Sequence, residues 1–195
     1  APGPAGEAVG IYQGDALTML RQIPDNCVQC CVTSPPYWGL RQYSTNPQIW
    51  GGNSDCDHDW TDAGKCPTKV GTAGSTEIVK YPGLAAQDKP PASAFCSKCG
   101  AWGGELGLEP TPELYVEHLV AVFREVRRVL RRDGTLWLVI GDSYNGSGGA
   151  GGDYGPGGLK EGQPKYPGRK VAGLKPKDLV GIPWMVAFAL RADGW

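Results

Sequence analysis

The sequence predicts an α/β fold whose strands run parallel. Two compact apolar runs of strand length, at 27–33 and 135–140, stand on either side of a long amphipathic helical pattern over 111–130. Parallel strands are buried on both faces and read as continuous apolar runs, and they need a crossover that is usually a helix. With 195 residues and 41% hydrophobic content, the chain has material for one ordinary core.

Taken in order, Val9-Gly10-Ile11-Tyr12-Gln13-Gly14-Asp15 reads as a short strand closing on a Gly-Asp turn. Residues 16–22 then carry the apolar spacing of one or two helical turns. After the turn Pro24-Asp25-Asn26, the run Cys27-Val28-Gln29-Cys30-Cys31-Val32-Thr33 is halted by Ser34-Pro35-Pro36. A buried parallel strand therefore delivers residues 34–37 at its carboxyl end. From 44 to 108 the periodicity fades, polar, Gly and Pro residues dominate, and Cys56, Cys66, Cys96 and Cys99 fall here. So long an insertion in a compact domain calls for something that orders it.

Thr111-Pro112-Glu113 opens a helix with a capping hydroxyl, a proline at the first helical position and an acid near the positive end of the helix dipole. Leu114, His118, Leu119, Val122, Phe123, Val126, Val129 and Leu130 recur at three and four spacing, while Arg124, Arg127, Arg128, Arg131 and Arg132 take the outer face and the end. His118 reads as a core histidine and the arginines as a solvated face. Arg132-Asp133-Gly134 stops the helix, and Thr135-Leu136-Trp137-Leu138-Val139-Ile140 is a second buried strand ending at Gly141-Asp142. Residues 143–174 are glycine-rich and read as a flexible loop, and 176–190 as a helix with Leu179, Ile182, Met185, Val186 and Leu190 buried.

The 19 basic and 20 acidic side chains cancel, so composition gives no global sign of a nucleic-acid partner. Lys160, Lys165, Arg169, Lys170, Lys175 and Lys177, against Glu161 and Asp178, give one stretch a basic bias suited to phosphate contact or to plain solvation. No apolar run approaches bilayer length, and the opening APGPAGEAVG lacks the order of a secretory signal. A cytoplasmic protein without a membrane partner is the expectation. Seven cysteines in clusters suit thiols or metal ligands better than a disulfide framework.

The chemistry concentrates at Ser34-Pro35-Pro36-Tyr37. Two consecutive prolines fix φ, remove two N–H donors and extend the preceding backbone, which makes a rigid corner with outward carbonyls. An amine attacking a methyl donor needs its protons held by acceptors, a task suited to the Ser34 hydroxyl and the Pro35 carbonyl. Tyr37, with Trp38 beside it, offers a face on which a base can stack. A proline-rich strand exit with a surface aromatic is the alternative. A second constellation is Cys56-x-His58 with Cys96-x-x-Cys99, three thiols and an imidazole that suit a tetrahedral structural zinc. Cys66 is a substitute for one of the four, and unrelated free cysteines are the alternative.

The run IYQGDALTMLRQIPDNCVQCCVTSPPYWGLRQY resembles the opening of the β-group DNA amino-methyltransferases, whose Gly-Asp turn and short helix lead to a Ser-Pro-Pro-Tyr or Asp-Pro-Pro-Tyr motif. TPELYVEHLVAVFREVRRVLRRDGTLWLVIGDSY and LKPKDLVGIPWMVAFALRADGW resemble the helix, strand and helix that follow in that family. The resemblance implies a doubly wound, mostly parallel, Rossmann-like sheet, with S-adenosylmethionine as cofactor and double-stranded DNA as partner. It carries Ser34, Pro35, Pro36 and Tyr37 over as catalytic, with Trp38 and Lys170 on the substrate side. The Ser form of the motif favours the N4 amine of a flipped cytosine, with the N6 amine of adenine as the alternative. Asp15 matches the acidic position near the cofactor's adenine and equally suits a helix cap. Phage and bacterial members of the family carry similar cysteine-bearing insertions. The family's glycine-rich methionine-binding run, Asp-Pro-Phe-x-Gly-Ser-Gly, does not occur here. Residues 1–195 are therefore expected to form a partial, incomplete catalytic domain, inactive alone, whose partner is a missing C-terminal half. A zinc-stapled remnant that binds DNA without modifying it is the rival.

Overall fold

In the computed structural model, which describes residues 10–40, 43, 45–61, 93–146 and 170–195, the first regular element starts at Asp15. Its carboxylate caps α1 (Ala16–Leu20) by accepting the Thr18 N–H at 2.9 Å. The strand expected ahead of it does not form in residues 10–15, where Ile11 is 93% exposed. Among the described residues no neighbouring strand supplies ladder bonds there, and a lone strand has no independent stability.

β1 (Val28–Thr33) follows the Pro24 turn at the expected place, but it is not the buried strand expected there: none of its residues is fully buried and Val32 is 72% exposed, because one face of its sheet is uncovered. The insertion then builds its own small sheet from β2 (Gln48–Trp50), β3 (Trp60–Thr61), β4 (Ala94–Cys96) and β5 (Trp102–Gly104). These four are antiparallel in the order β2-β5-β4-β3. Strands of two or three residues are too short to persist unaided, so this unit needs a staple.

The long helix α2 (Pro112–Val129) begins at Thr111, whose hydroxyl accepts the Leu114 N–H, and carries Pro112 in its first turn. β6 (Leu130–Leu138) pairs in parallel with β1, in the register Cys30↔Thr135 and Thr33↔Leu138. Residues 131–134, expected as a plain turn, lie inside β6 as a register break opposite Gln29. The helix expected over 176–190 starts later, as α3 (Ile182–Ala192). Pro183 is tolerated only in a first turn, and Gly181 before it takes a left-handed φ of 89° that sets the start. Leu179, expected on the buried face of that helix, instead bridges Tyr144 and is 55% exposed.

The core lies between α2, α3 and one face of the parallel pair. Tyr115, Leu119, Phe123 and Val126 from α2 meet Ile182, Val186 and Leu190 from α3, with Cys31, Leu136 and Leu138 packed beneath. The other face of the pair is open: Val32, Trp137 and Val139 are 72%, 62% and 58% exposed. On α3, Trp184 and Phe188 are exposed as well. Each such side chain left in water forfeits about 1.5–3 kcal/mol relative to burial.

Most of the glycine-rich stretch 143–174 lies outside the described residues, as do Cys66, Lys160, Lys165 and Arg169. Its two flanks are joined by buried Asn145, which donates to the Leu174 and Lys175 carbonyls and accepts the Val171 N–H at 2.7 Å. Among the described residues no helix is long and apolar enough to cross a membrane.

Candidate active site

β1 ends at Thr33, whose carbonyl accepts the Val139 N–H, and the chain turns out of the sheet at Ser34. The double-proline corner is held from three sides. The Tyr115 hydroxyl, from the buried face of α2, donates to the Pro36 carbonyl at 2.7 Å. Gly107 lies so close that a Cβ on it would sit 3.1 Å from both the Pro36 Cβ and the Tyr37 carbonyl, and its carbonyl accepts the Gly39 N–H. The Ser143 hydroxyl donates to the Trp38 carbonyl at 2.9 Å. Burial, with the nearby charge of Glu109 and then Tyr37, drives the Tyr115 phenol far above its ordinary value, so it stays a donor.

Held this way, the corner leaves its chemistry outward. Ser34 is exposed, with its hydroxyl 3.5 Å from the Tyr37 hydroxyl. The Pro35 carbonyl has no hydrogen-bond partner among the described residues. Tyr37 lies against Gly141, where a Cβ would stand 2.9 Å from a ring carbon. Asp142 next to it accepts the Ser143, Gly181 and Ile182 N–H groups, tying the end of β6 to the start of α3. An open concavity of about 280 Å³ lies against this corner, lined by Ser34, Pro36, Tyr43, Thr45, Glu105 and Leu106.

The expectation of a second stacking face on Trp38 is not met. Its ring is 2% exposed, and the indole N–H donates to the Glu109 carbonyl at 2.9 Å. Turned into the core, it supports the corner from behind. Asp15 takes its capping alternative, and neither it nor exposed Lys170 lines the concavity.

Sequence reasoning missed the network behind the corner. Buried Glu109 accepts the Gly107 N–H with one carboxylate oxygen and faces His118 Nδ1 at 2.9 Å with the other. The His118 ring is stacked on Trp50 from β2 and Trp102 from β5, at 4.6 and 5.3 Å between centroids. The core histidine expected from helical spacing is thus also the link between α2 and the insertion. Its neighbours come from an aperiodic segment, so no pattern announced them. Tyr115 was not singled out either, although its spacing to Leu119, Val122 and Val126 puts it on the apolar side of the helix.

The second constellation comes together as its spacing suggested. The ligand atoms of Cys56, His58, Cys96 and Cys99 all lie within 4.8 Å of one another. Cys96 and Cys99 flank a tight turn in which the Gly100 N–H returns to the Cys96 carbonyl and Gly100 takes a φ of 73°. The turn is tied to the other pair by Ser97, whose N–H and hydroxyl donate to Asp59. The measured separations are 3.9 Å for Cys56 Sγ to Cys96 Sγ and 3.5 Å for Cys99 Sγ to His58 Nδ1. Tetrahedral zinc, with bonds of about 2.3 Å to sulfur and 2.0–2.1 Å to nitrogen, sets sulfurs about 3.8 Å apart and sulfur about 3.6 Å from nitrogen. Burial, then contacts with Cys99 and Cys96, pushes the Cys56 thiol up to about 11. Burial also opposes ionisation of Cys96 but is outweighed by His58 and the Cys99, Lys98 and Asp59 N–H groups, which bring it down to about 6. The Asn53 and Ala101 N–H groups bring the Cys99 thiol down as well. Three crowded thiols, two of them favoured as thiolates, suit a cation at their centre.

Comparisons with known proteins identify the family. Residues 28–190 match the family model of DNA methylases of the N6/N4 type. Over 192 residues the chain is 37% identical to the type II methyltransferase M.XycI of Xanthomonas campestris pv. cyanopsidis, covering 95% of this chain and 42% of that protein. It is 34% identical to M.Cfr9I of Citrobacter freundii and 34% identical to M.SmaI of Serratia marcescens, covering 42% and 44% of their lengths. The chain thus spans about two fifths of these curated relatives. No solved structure matches it. The matched region runs from β1 through α3 and contains the double-proline corner, and on that basis the chain belongs to the N6/N4 family of DNA methylases.

Proposed function

We propose that this chain supplies the base-holding part of a DNA amino-methyltransferase that moves a methyl group from S-adenosylmethionine to the N4 amine of a flipped cytosine. The observation that carries the reading is the exposed Ser34 hydroxyl beside a Pro35 carbonyl that has no partner among the described residues, at the carboxyl end of β1 and next to an open concavity of about 280 Å³ lined by Ser34 and Pro36. Two acceptors at a fixed corner hold the two N–H bonds of an exocyclic amine and turn its lone pair toward the donor. Attack is direct, and no cysteine nucleophile takes part. Tyr37 would stack on the extruded base.

The chain's own residues do not complete a site for S-adenosylmethionine. Asp15 is the one position carried over for it, and no methionine-binding glycine run is present. The open sheet face at Val32, Trp137 and Val139 supports a further part of the enzyme that covers this face, extends the parallel sheet into a doubly wound one and brings the rest of the donor site. Lys170, with Lys175 and Lys177 exposed nearby in sequence, would contact DNA phosphates.

Cys56, His58, Cys96 and Cys99 would hold a zinc ion whose four positions are all filled by protein, which makes it structural. The stapled unit presents Asp55, Asp57 and Asp59 to solvent, an acidic surface that speaks against a stand-alone DNA-binding remnant. The deciding experiment incubates the intact enzyme with DNA and labelled donor, then analyses the product nucleosides. N4-methylcytosine is expected, and Ser34→Ala should abolish it while leaving the fold intact. N6-methyladenine would move the target to adenine, and absence of any methylated base would reject the proposal.

A further inference from the structure

Glu105 follows directly on β5, the strand that joins the stapled unit to the concavity beside Ser34. Its residue is 7% exposed, and its Oε2 is buried without a hydrogen-bond partner among the described residues. Burying a carboxyl oxygen without a partner costs stability, so such a group calls for a ligand or a catalytic role. Elsewhere the chain satisfies its buried acid: both carboxylate oxygens of Glu109 are engaged. Position adds to this. Gly103 and Gly104 are fixed by pairing with β2, and Trp50 Nε1 donates to the Gly104 carbonyl at 3.2 Å. The Glu105 backbone is therefore set by the insertion and not by the parallel sheet.

Amine methylation leaves a proton to be placed. The nitrogen lone pair forms the new N–C bond as the methyl–sulfur electron pair leaves with the sulfonium donor, so the nitrogen becomes cationic. One N–H proton must then depart. A hydroxyl and a peptide carbonyl accept hydrogen bonds but are too weakly basic to take that proton. Among the described residues lining the concavity, Glu105 is the one carboxyl group.

We infer that Glu105 is the proton acceptor of the methyl-transfer step, delivered to the double-proline corner by the stapled insertion. The carboxylate accepts one N–H of the target amine alongside Ser34 and Pro35 and takes its proton as the methyl arrives. It returns the proton to water after the neutral methylated base has left. This rests on the methyltransferase reading above, and deepens it by giving the insertion a part in the chemistry.

The test uses the intact enzyme in single-turnover methyl transfer, with Glu105→Gln, Glu105→Asp and Glu105→Ala. Glu105→Gln keeps the shape and removes the base, so the rate should fall about 100-fold or more, the range of general-base catalysis. Affinities for target DNA and donor should stay at wild-type values, and the melting temperature should be no lower than wild type, because Glu105 Oε2 has no hydrogen bond to lose. Glu105→Asp should keep part of the rate, and formate should restore part of it to Glu105→Ala. A wild-type rate in Glu105→Gln overturns the inference, as does a rate loss that tracks lost DNA affinity or lowered melting temperature. A wild-type enzyme that methylates no DNA sinks the functional reading itself, and the role of Glu105 with it.

Discussion

Replacing Tyr115 with Phe isolates the bond that holds the double-proline corner. The ring is fully buried and would keep its packing, so the variant loses one hydroxyl and opens no appreciable cavity. What disappears is the 2.7 Å donation to the Pro36 carbonyl. Leaving a buried acceptor unpaired costs about 1–3 kcal/mol, and water reaching half-buried Pro36 puts the expected loss near the lower end, about 1–2 kcal/mol. The pH dependence has a definite sign. The folded-state value of the phenol is raised, chiefly by burial, so the folded protein favours the neutral form. Its contribution is complete below the unfolded tyrosine value of about 10, and above that pH wild type loses about 1.4 kcal/mol per unit until the folded value is reached. Tyr115→Phe lacks this alkaline loss. Urea unfolding of both proteins from neutral pH to above 10 measures it. Curves that stay parallel across that range, or a variant as stable as wild type at neutral pH, would refute the assigned role.

Two further outcomes follow from the same structure. Chelation, or Cys96→Ala, should release one zinc per chain on metal analysis and collapse the β2-β5-β4-β3 sheet, whose strands are only two or three residues long. Near-ultraviolet dichroism would report it through Trp50, Trp60 and Trp102, and an unchanged spectrum after complete chelation would contradict a structural metal. If the remaining part of the enzyme covers the open sheet face, Trp137→Ala in the intact protein should cost about 3–5 kcal/mol, as for a buried tryptophan. A loss under about 0.5 kcal/mol, the range of surface substitutions, would mean that the face stays open.

The legible parts of this molecule are those where local chemistry and periodicity coincide. The apolar run before Ser34 and the capped, heptad-like pattern after Thr111 became β1 and α2 nearly as written. The Cys-x-His and Cys-x-x-Cys pairs were each legible because metal-ligand spacing within a pair is local, although their meeting spans some 40 residues. Errors arose where a distant partner decides. Val9 to Asp15 has strand-like composition, but residues 10–15 find no neighbour to pair with. The onset of α3 was readable from Gly181 and Pro183, yet the apolar spacing that includes Leu179 drew the boundary too early. Trp38 looked like a surface aromatic because the motif next to it is outward. Its burial depends on Glu109 and α2, more than 70 residues away. Glu105 and the Trp50–His118–Trp102 stack depend on how an aperiodic insertion folds back, which no sequence period encodes.

The claim that Ser34 and Pro35 grip an exocyclic amine is tested most directly by a crystal structure of the intact enzyme with its target duplex and a non-reactive analogue of the methyl donor. The account predicts one base swung out of the duplex, its amine within hydrogen-bond distance of Ser34 Oγ and the Pro35 carbonyl, with its ring against Tyr37. A target base that remains stacked in the helix, or an extruded base held elsewhere with Ser34 facing solvent, would contradict it.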